Sequence, residues 1–321
     1  MNLQTKIPLS RQSDNQIGYE SEMLLLGSCF VENIGEKLGY FKFQSEVNPF
    51  GILFHPQAIK TLVENAIKER HYTDEDAFFN NEQWHCFDAH SRLSNSSKDS
   101  LLGALNKQIK LTNKQIHSAT HIIITLGTSW VYRHKETGNI VANCHKVPQK
   151  QFSKDLLSVE EVVELLRNTT DLIRSVNPKT SIIFTVSPVR HLKDGFVENT
   201  QSKAHLITAI HQFLNQNVSI ENRNSFYFPS YEIMMDELRD YRFYKDDMIH
   251  PSQIAVNYIW DKFNQVWITS EAQKTMEDVD AVQKGLLHKP FNPNSEAHQK
   301  FLQKLEAKIN KLQSRYSHIK F

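Results

Sequence analysis

Short, continuous runs of apolar residues recur along the chain, separated by segments in which apolar positions have helical spacing. Five runs predict buried strands: MLLL (23–26), YFKFQ (40–44), HIIIT (121–125), SIIFTV (181–186) and FYF (226–228). Helical spacing predicts helices over 159–174, 202–214 and 252–267. Continuous strands between helices are typical of a parallel sheet covered on both faces. The pattern therefore predicts an α/β protein with a three-layer α/β/α, flavodoxin-like fold around a five-stranded parallel sheet.

Two segments depart from this alternation. Residues 66–118 are polar with weak periodicity, which predicts an insertion, either a surface excursion or a lid over the strand ends. Near the C-terminus, Ser295 is placed to cap a helix whose apolar stripe packs on the body or on a partner chain, so that an oligomer through this helix is one outcome. We expect a main domain over 1–270 and a C-terminal helical extension over 271–321.

Composition and charge exclude several classes of partner. The net charge is +1 without a long basic run, so neither a nucleic acid nor a membrane is expected as a partner. Phosphate-cradling G-x-G-x-x-G and G-x-x-x-x-G-K patterns are absent from the sequence. Cys29, Cys86 and Cys144 are far apart, which favours a reduced cytosolic protein over a disulfide framework. The opening residues show no secretory signal, and no apolar run approaches the roughly 18 residues that span a bilayer, so we expect a cytoplasmic protein.

Small and polar residues follow three of the predicted strands. GSC (27–29) follows the first strand, GTS (127–129) the third and SPVR (187–190) the fourth. Because parallel sheets place their sites at the carboxyl ends of the strands, these segments are expected to meet. A small-residue turn between a strand and a helix suits a nucleophile, so Ser28 and Cys29 are both candidates, and a tight turn without chemistry is the other interpretation.

A second candidate element is Asp247-x-x-His250, which follows the last predicted strand and precedes the helix over 252–267. In this spacing the carboxylate can reach back to the imidazole, fix its tautomer and stabilise the imidazolium. The other ring nitrogen is then free to take a proton from a nucleophile. The alternative is a helix-capping Asp beside an ordinary loop His.

The order of these elements resembles that of SGNH (GDSL-type) hydrolases, which open with an apolar strand and Gly-Asp-Ser and close with Asp-x-x-His. The resemblance covers about residues 21 to 267. More narrowly, the chain is identified as a member of the GSCFA family, a bacterial family named for its Gly-Ser-Cys-Phe-Ala signature. The matching text is LGSCFVENIG, NPFGILFHP, TLGTSWVY, NCHKVP, TVSPVRH, SKAHL and HPSQIAVNYIW, with Val31 in place of the Ala. The resemblance implies an SGNH hydrolase-like fold.

The resemblance also bears on the choice of nucleophile. Aligning LGSCF with the Gly-Asp-Ser pattern places Cys29 on the nucleophilic Ser and Ser28 on the Asp. Ser28 is the nucleophile if the turn is shifted by one residue, and in a third interpretation neither residue is. A helix N-terminus beside a His is expected to lower the pKa of the Cys29 thiol.

Oxyanion-hole residues are implied in the same way. SGNH enzymes use a Gly after the second strand and an Asn in Gly-x-Asn after the third. Gly51, with Asn48 nearby, matches the first, although both residues also suit a plain turn. The second match is Gly127 with Ser129 in place of the Asn, and Asn143 is a candidate replacement amide.

Three further residues are harder to place from sequence. His145, next to Cys144, is expected to line the pocket or lie on a loop, and since adjacent residues rarely bind one metal ion, neither a metal nor another cofactor is expected. Arg190 is a candidate to bind a carboxylate or phosphate of the substrate, or else an ordinary surface arginine. Lys203 is expected on a solvated helix face rather than in the pocket.

The sequence therefore predicts an acyl-ester hydrolase that acts on a small-molecule or carbohydrate acyl substrate, with Cys29 or Ser28, His250 and Asp247 as the catalytic arrangement. O-acylated carbohydrate is the substrate class that the wider superfamily suggests. The first alternative is an acyltransferase that uses a thioester donor. The second is a non-catalytic ligand-binding protein of the same fold, which Ser129 favours and in which Cys29 would lie beyond hydrogen-bond reach of His250.

Overall fold

The computed structural model describes residues 5–216 and 224–321. The strands are β1 (Glu22–Gly27), β2 (Gln44–Val47), β3 (Phe78–Asn80), β4 (Gln83–His85), β5 (His121–Leu126), β6 (Trp130–His134), β7 (Ile140–Val141), β8 (Phe152–Leu156), β9 (Ser181–Val186) and β10 (Ser225–Tyr227). The helices are α1 (Cys29–Tyr40), α2 (Pro56–Ile67), α3 (Lys98–Ser118), α4 (Val159–Val176), α5 (Phe196–Gln216), α6 (Ser230–Glu232), α7 (Gln253–Trp267), α8 (Ser270–Leu287) and α9 (Glu296–Arg315).

The central sheet has five strands in the order β10-β9-β5-β1-β2, and every neighbouring pair is parallel. Numbered along the chain, these five strands have the order 2-1-3-4-5, which is the flavodoxin-like arrangement. The predicted fold class is therefore confirmed. Among the described residues, no helix has the length and apolar character needed to cross a membrane.

Alternate residues of the central strands face two separate cores. In β1, Leu24 and Leu26 join the core that α2, α3, α4 and α5 cover, whereas Met23 and Leu25 join the core beneath α1, α7 and α8. Both faces of the strand are therefore buried, which explains why its sequence is continuously apolar and does not alternate between apolar and polar residues. The same division holds in β5, where Ile122 and Ile123 face opposite cores.

The second predicted strand is displaced. The run 40–44 was expected to be a strand, but α1 continues to Tyr40 and β2 begins only at Gln44. Lys42 has a φ of 63°, and the N–H of Phe43 donates to the carbonyl of Leu38 at 2.9 Å. This is a left-handed helix ending, so the aromatic residues of the run close α1 and pack against the body.

Residues 66–118 differ from the predicted insertion in their second half. The helix α3 buries Leu101, Leu105, Ile109 and Ile116 in the first core, so it is one of the layer helices and the expectation of an insertion is wrong there. Its apolar stripe has about one residue per turn, which is a weak periodic signal. Residues before α3 form the β3–β4 hairpin, and none of 66–118 lines the cavity described below.

Helices α8 and α9 follow the main body. Ser295 caps α9 by accepting from the N–H of His298, as predicted. Leu312 of α9 joins the same core as α1 and α7, and Leu305 and Ile309 pack against it, so the apolar stripe of α9 packs on the body of its own chain. Tyr316 and Ile319, which follow the helix, join this core as well. An oligomer through this helix stays a prediction.

Candidate active site

A cavity of about 630 Å³ lies where the carboxyl ends of three central strands meet. Cys29 follows β1, Thr128 follows β5, and the segment 189–194 follows β9. The small antiparallel sheet β7-β6-β8 begins shortly after β5 in the chain. It contributes aromatic side chains, among them Trp130, to the wall of the cavity. The predicted convergence of the strand ends is thus present, and loops and a second sheet enclose it.

The turn at the end of β1 presents Cys29 and buries Ser28. Gly27 has a φ of 135°, and a Cβ atom there would lie 2.1 Å from the carbonyl oxygen of Thr125, so the chain passes too close to β5 for any side chain. Ser28 is fully buried, and its Oγ has no hydrogen-bond partner in the described part of the chain. Cys29 is the first residue of α1, is partly exposed and lines the cavity.

The electrostatics of Cys29 differ from the expectation. Burial raises the pKa of its thiol above the ordinary value, and the nearby Lys203 opposes this effect without cancelling it. The predicted lowering of the thiol pKa is therefore wrong for this structure. Within the described residues the sulfur of Cys29 makes no hydrogen bond to His250; the backbone N–H of Cys29 itself is the donor that it contacts.

Asp247 and His250 form the pair that their spacing predicted. The Oδ1 atom of Asp247 accepts from the backbone N–H groups of His250 and Ile249, and these bonds lower the pKa of Asp247 to about 2. Its Oδ2 atom accepts from Nδ1 of His250 at 2.7 Å. The carboxylate thereby favours the neutral tautomer that carries its proton on Nδ1, in which Nε2 is the acceptor nitrogen. His250 lines the same cavity as Cys29.

Lys203 lies at the base of this region, and the expectation of a solvated helix face is wrong. Its side chain is almost fully buried, and Nζ donates to the carbonyl oxygens of Gly127 and Ser187 at 2.7 Å each. These carbonyls directly follow β5 and β9, so the ammonium group joins two strand ends. Burial lowers the pKa of Lys203 to about 7.

His191 is a cavity residue to which the sequence assigned no role. Its Nε2 atom is buried without a hydrogen-bond partner among the described residues. Burial lowers the pKa of His191 to about 3, and the nearby Lys203 and His250 add to this effect, so the ring is neutral at pH 7. The signal was its position directly after Arg190 in the segment that follows β9, where side chains reach the strand ends.

The N–H groups of the two predicted oxyanion glycines already donate to backbone carbonyls. The N–H of Gly51 donates to the carbonyl of Asn48, and that of Gly127 donates to the carbonyl of Phe54, both at 2.7 Å. Neither glycine is among the residues that line the cavity. Both allow close packing: a Cβ on Gly51 would lie 2.5 Å from the Cβ atom of His90, and one on Gly127 would lie 3.1 Å from the carbonyl oxygen of Phe54.

Of the amide and hydroxyl side chains predicted for the oxyanion hole, one lines the cavity and two are buried behind its wall. Ser129 is buried, with its N–H and Oγ both bonded to Ser202, so it does not replace the family Asn in the cavity. Asn48 is also behind the wall: its Oδ1 accepts from the N–H of Gly27, and its Nδ2 has no partner within the described chain. Asn143 lines the cavity, as does Arg190.

Of the two expectations for His145, the loop is confirmed and the pocket is wrong: the residue lies in the turn after β7 and does not line the cavity. It is buried behind the cavity, where Nε2 donates to the carbonyl of Cys86 at 2.8 Å and Nδ1 contacts the hydroxyl of Ser91. Burial lowers the pKa of His145 to about 4, so it is a neutral structural residue. Among the described residues, no group of three or more His, Cys, Asp or Glu side chains is arranged to hold a metal ion.

Comparison with known proteins gives matches to two family models and a weak likeness to a solved structure. The model of the GSCFA family matches residues 22–263, and that of the GSCFA domain protein, C-terminal domain, matches residues 279–321. No curated protein sequence matches the chain. One solved structure that it resembles is an acetyl xylan esterase (Est2A) from the rumen bacterium Butyrivibrio proteoclasticus, with 10% identity, a TM-score of 0.37, and coverage of 84% of this chain and 64% of that chain. This chain therefore spans less than two thirds of the esterase, and the similarity is too low to bear on the reaction. The family model covers most of the sequence and includes both the Ser28–Cys29 turn and the Asp247–His250 pair, and the chain belongs to the GSCFA family.

Proposed function

We propose that this protein is an ester hydrolase of the SGNH type with Cys29 as its nucleophile. The observation that carries the proposal is that Cys29, at the N-terminus of α1, and His250, held by Asp247, line one cavity at the strand ends. A nucleophile, a base and a carboxylate that orients the base are the three parts that acyl transfer requires. Ser28 is the weaker candidate because its hydroxyl is fully buried.

In the proposed reaction, Sγ of Cys29 attacks the acyl carbon while the thiol proton passes to Nε2 of His250. The tetrahedral oxyanion accepts from the backbone N–H groups of the first two residues of α1, since that of the third, Val31, already donates to the carbonyl of Ser28. Collapse breaks the ester C–O bond, and His250 returns the proton to the departing alcohol. Water then cleaves the thioester, giving one proton to His250, which passes it to the sulfur of Cys29, so the enzyme is restored.

The raised thiol pKa makes the base essential, because the resting sulfur of Cys29 is protonated at neutral pH. Cys29 and His250 make no direct hydrogen bond in the described structure, and catalytic hydrogen bonds often tighten only when substrate is bound. Acetylated oligosaccharide is the first substrate class to test, since the cavity wall contains the aromatic side chains of Trp130 and Tyr132, and aromatic rings pack against sugar faces.

The test compares wild-type protein with Cys29→Ala, Ser28→Ala and His250→Ala, using acetate release from acetylated xylo-oligosaccharides and 4-nitrophenol release from its acetate. Loss of the nucleophile or the base is expected to lower kcat at least about 1,000-fold, whereas Ser28→Ala retains most activity. Mass spectrometry of quenched reactions should find the acyl group on the peptide that contains Cys29. Activity that survives in Cys29→Ala would exclude the proposed nucleophile.

A non-catalytic binding protein is the second candidate. The missing Cys29–His250 hydrogen bond and the raised thiol pKa of Cys29 both favour it. Alkylation of Cys29 against pH, in wild type and His250→Ala, separates the two: a base-assisted thiol reacts more slowly in the variant, and an inert thiol in both proteins supports binding alone. If acyl-Cys29 forms but free acid does not, the transferase alternative applies, and adding sugar or amine acceptors should release the acyl group.

A further inference from the structure

Arg190 differs from the other arginines of the described chain in having no oxygen acceptor. The others each donate to a carboxylate, an amide oxygen, a hydroxyl or a backbone carbonyl: Arg11, Arg70, Arg92, Arg133, Arg167, Arg174, Arg239, Arg242 and Arg315. The hydrogen bond that the Arg190 guanidinium makes is a weak one, to the sulfur of Met235 at 3.8 Å. A guanidinium group has five N–H donors, so most of its hydrogen-bonding capacity is unused.

The side chain of Arg190 is nevertheless held in place. Its guanidinium lies over the ring of Tyr244, 5.5 Å from the centroid, and its backbone N–H donates to the carbonyl of Ile249, next to His250. Stacking on an aromatic ring orients a guanidinium plane without neutralising its charge. Arg190 is a lining residue of the cavity, and its guanidinium is held in a defined position, close to the segment that carries the candidate base.

The other charges of the cavity do not neutralise Arg190. Lys193 also lines the cavity and makes no ion pair within the described chain. The acidic residue of the lining, Asp194, is paired with Lys154 at 2.6 Å. Asp247 accepts a hydrogen bond from Nδ1 of His250. The wall near Cys29 therefore carries unpaired positive charge, although the whole chain has a net charge of only +1.

We propose that Arg190 binds an anionic group of the substrate, a carboxylate or a phosphate, and so selects esters that carry one. A guanidinium matches the two oxygens of either group with parallel N–H···O bonds. Lys193 adds attraction at the same wall without that directional fit. This inference rests on the proposed function, because the anionic group belongs to the ester that Cys29 attacks.

Arg190 is expected to make the protein bind anionic ligands more tightly than neutral ligands of the same shape. A charge-assisted hydrogen-bonded pair in a cavity contributes roughly tenfold to hundredfold in affinity. The preference should fall to near unity when the guanidinium is removed, and Arg190→Lys should keep part of it, because the charge remains and the fork geometry is lost.

The test separates binding from catalysis. Calorimetry measures the affinity of adipate, of its neutral dimethyl ester and of inorganic phosphate for wild type, Arg190→Met, Arg190→Lys and Arg239→Met. Arg239 already pairs with Asp236 and does not line the cavity, which makes it the matched control. In parallel, kcat/KM is compared for 4-nitrophenyl hexanoate and mono-4-nitrophenyl adipate, and melting temperatures confirm that each variant folds.

Wild type and Arg239→Met should bind an anion at least about tenfold more tightly than the neutral diester, and Arg190→Met should not. Which of adipate and phosphate binds identifies the group. The proposal is overturned if wild type and Arg190→Met bind each anion with the same affinity. It is also overturned if wild type binds neither anion. If Arg190→Met does not fold, unchanged anion affinity in Arg190→Lys has the same meaning. Anion binding that depends on Arg190 without cleavage of either ester contradicts the hydrolase instead and leaves the anion site standing.

Discussion

Lys203 shows how far the environment of one residue can depart from its sequence context. Its ammonium group is buried between the ends of β5 and β9 and donates to the carbonyls of Gly127 and Ser187. Two carbonyl dipoles compensate only part of the desolvation, so the pKa of Lys203 falls to about 7, whereas the unfolded chain keeps an ordinary lysine. The lysine therefore couples folding to pH.

We predict that the contribution of Lys203 to stability rises with pH above about 7. Between that value and the ordinary lysine pKa, the unfolded chain holds a proton that the folded chain has released, so raising the pH favours the folded state. Urea denaturation at pH 7, 8 and 9 should show the difference in unfolding free energy, wild type minus Lys203→Met, increasing by on the order of 1 kcal/mol per pH unit. A difference that does not change with pH would mean that Lys203 does not titrate in this range.

At the scale of elements, the close contact of β1 with β5 decides where α1 begins. Gly27 has a left-handed φ of 135° and no room for a side chain, because its Cβ would lie 2.1 Å from the carbonyl oxygen of Thr125. Ser28 follows, its N–H bonded to the same carbonyl, and the helix begins at Cys29. This geometry places Cys29 at the edge of the cavity.

Gly27→Ala is expected to destabilise the protein by at least about 2 kcal/mol, since it adds both backbone strain and a clash with β5. Gly103→Ala is the matched control: Gly103 lies within α3, and a Cβ there meets no atom within 4 Å. Alanine at that exposed helical position should stabilise by about 0.5–1 kcal/mol. Thermal and urea denaturation measure both variants. Equal effects of the two substitutions would contradict the assigned turn.

At the scale of the whole molecule, the C-terminal segment completes the core beneath α1. Tyr316 stacks on Tyr19 with ring centroids 4.9 Å apart, and Tyr19 in turn stacks on Phe43 at 4.4 Å. This stack joins three segments: the one before β1, the one after α1 and the one after α9. Aromatic packing therefore holds the C-terminal segment against the body of the protein.

Tyr316→Ala is expected to lower the unfolding free energy by about 3 kcal/mol, because it removes a buried ring from this stack. Leu302→Ala is the control: Leu302 is 41% exposed on α9, so its truncation should have an effect below about 1 kcal/mol. A single denaturation transition that shifts in Tyr316→Ala means that the segment folds with the body. Two transitions, of which only one shifts, would instead support the separate extension predicted over 271–321.

Much of the fold follows from local sequence, because burial on both faces of a strand requires continuous apolar residues. The runs at 121–125 and 181–186 became β5 and β9, and Ser295 became a helix cap, since caps are local hydrogen bonds. The run at 40–44 failed as a strand because aromatic residues also suit a helix end that packs on a core. The helix α3 was missed because its apolar stripe is narrow.

The sequence by itself determined four of the five central strands, the helices α4, α5 and α7 and the Asp247–His250 pair, since each depends on residues that are neighbours along the chain. The tertiary structure alone decided which polar groups reach the cavity. Gly127 and Ser129 follow the expected strand, but their N–H groups donate to Phe54 and Ser202 in other segments. Lys203 lies on a helix, and its ammonium group is buried between two strand ends. Burial and hydrogen-bond satisfaction depend on partners far along the chain, and only folding brings those partners together.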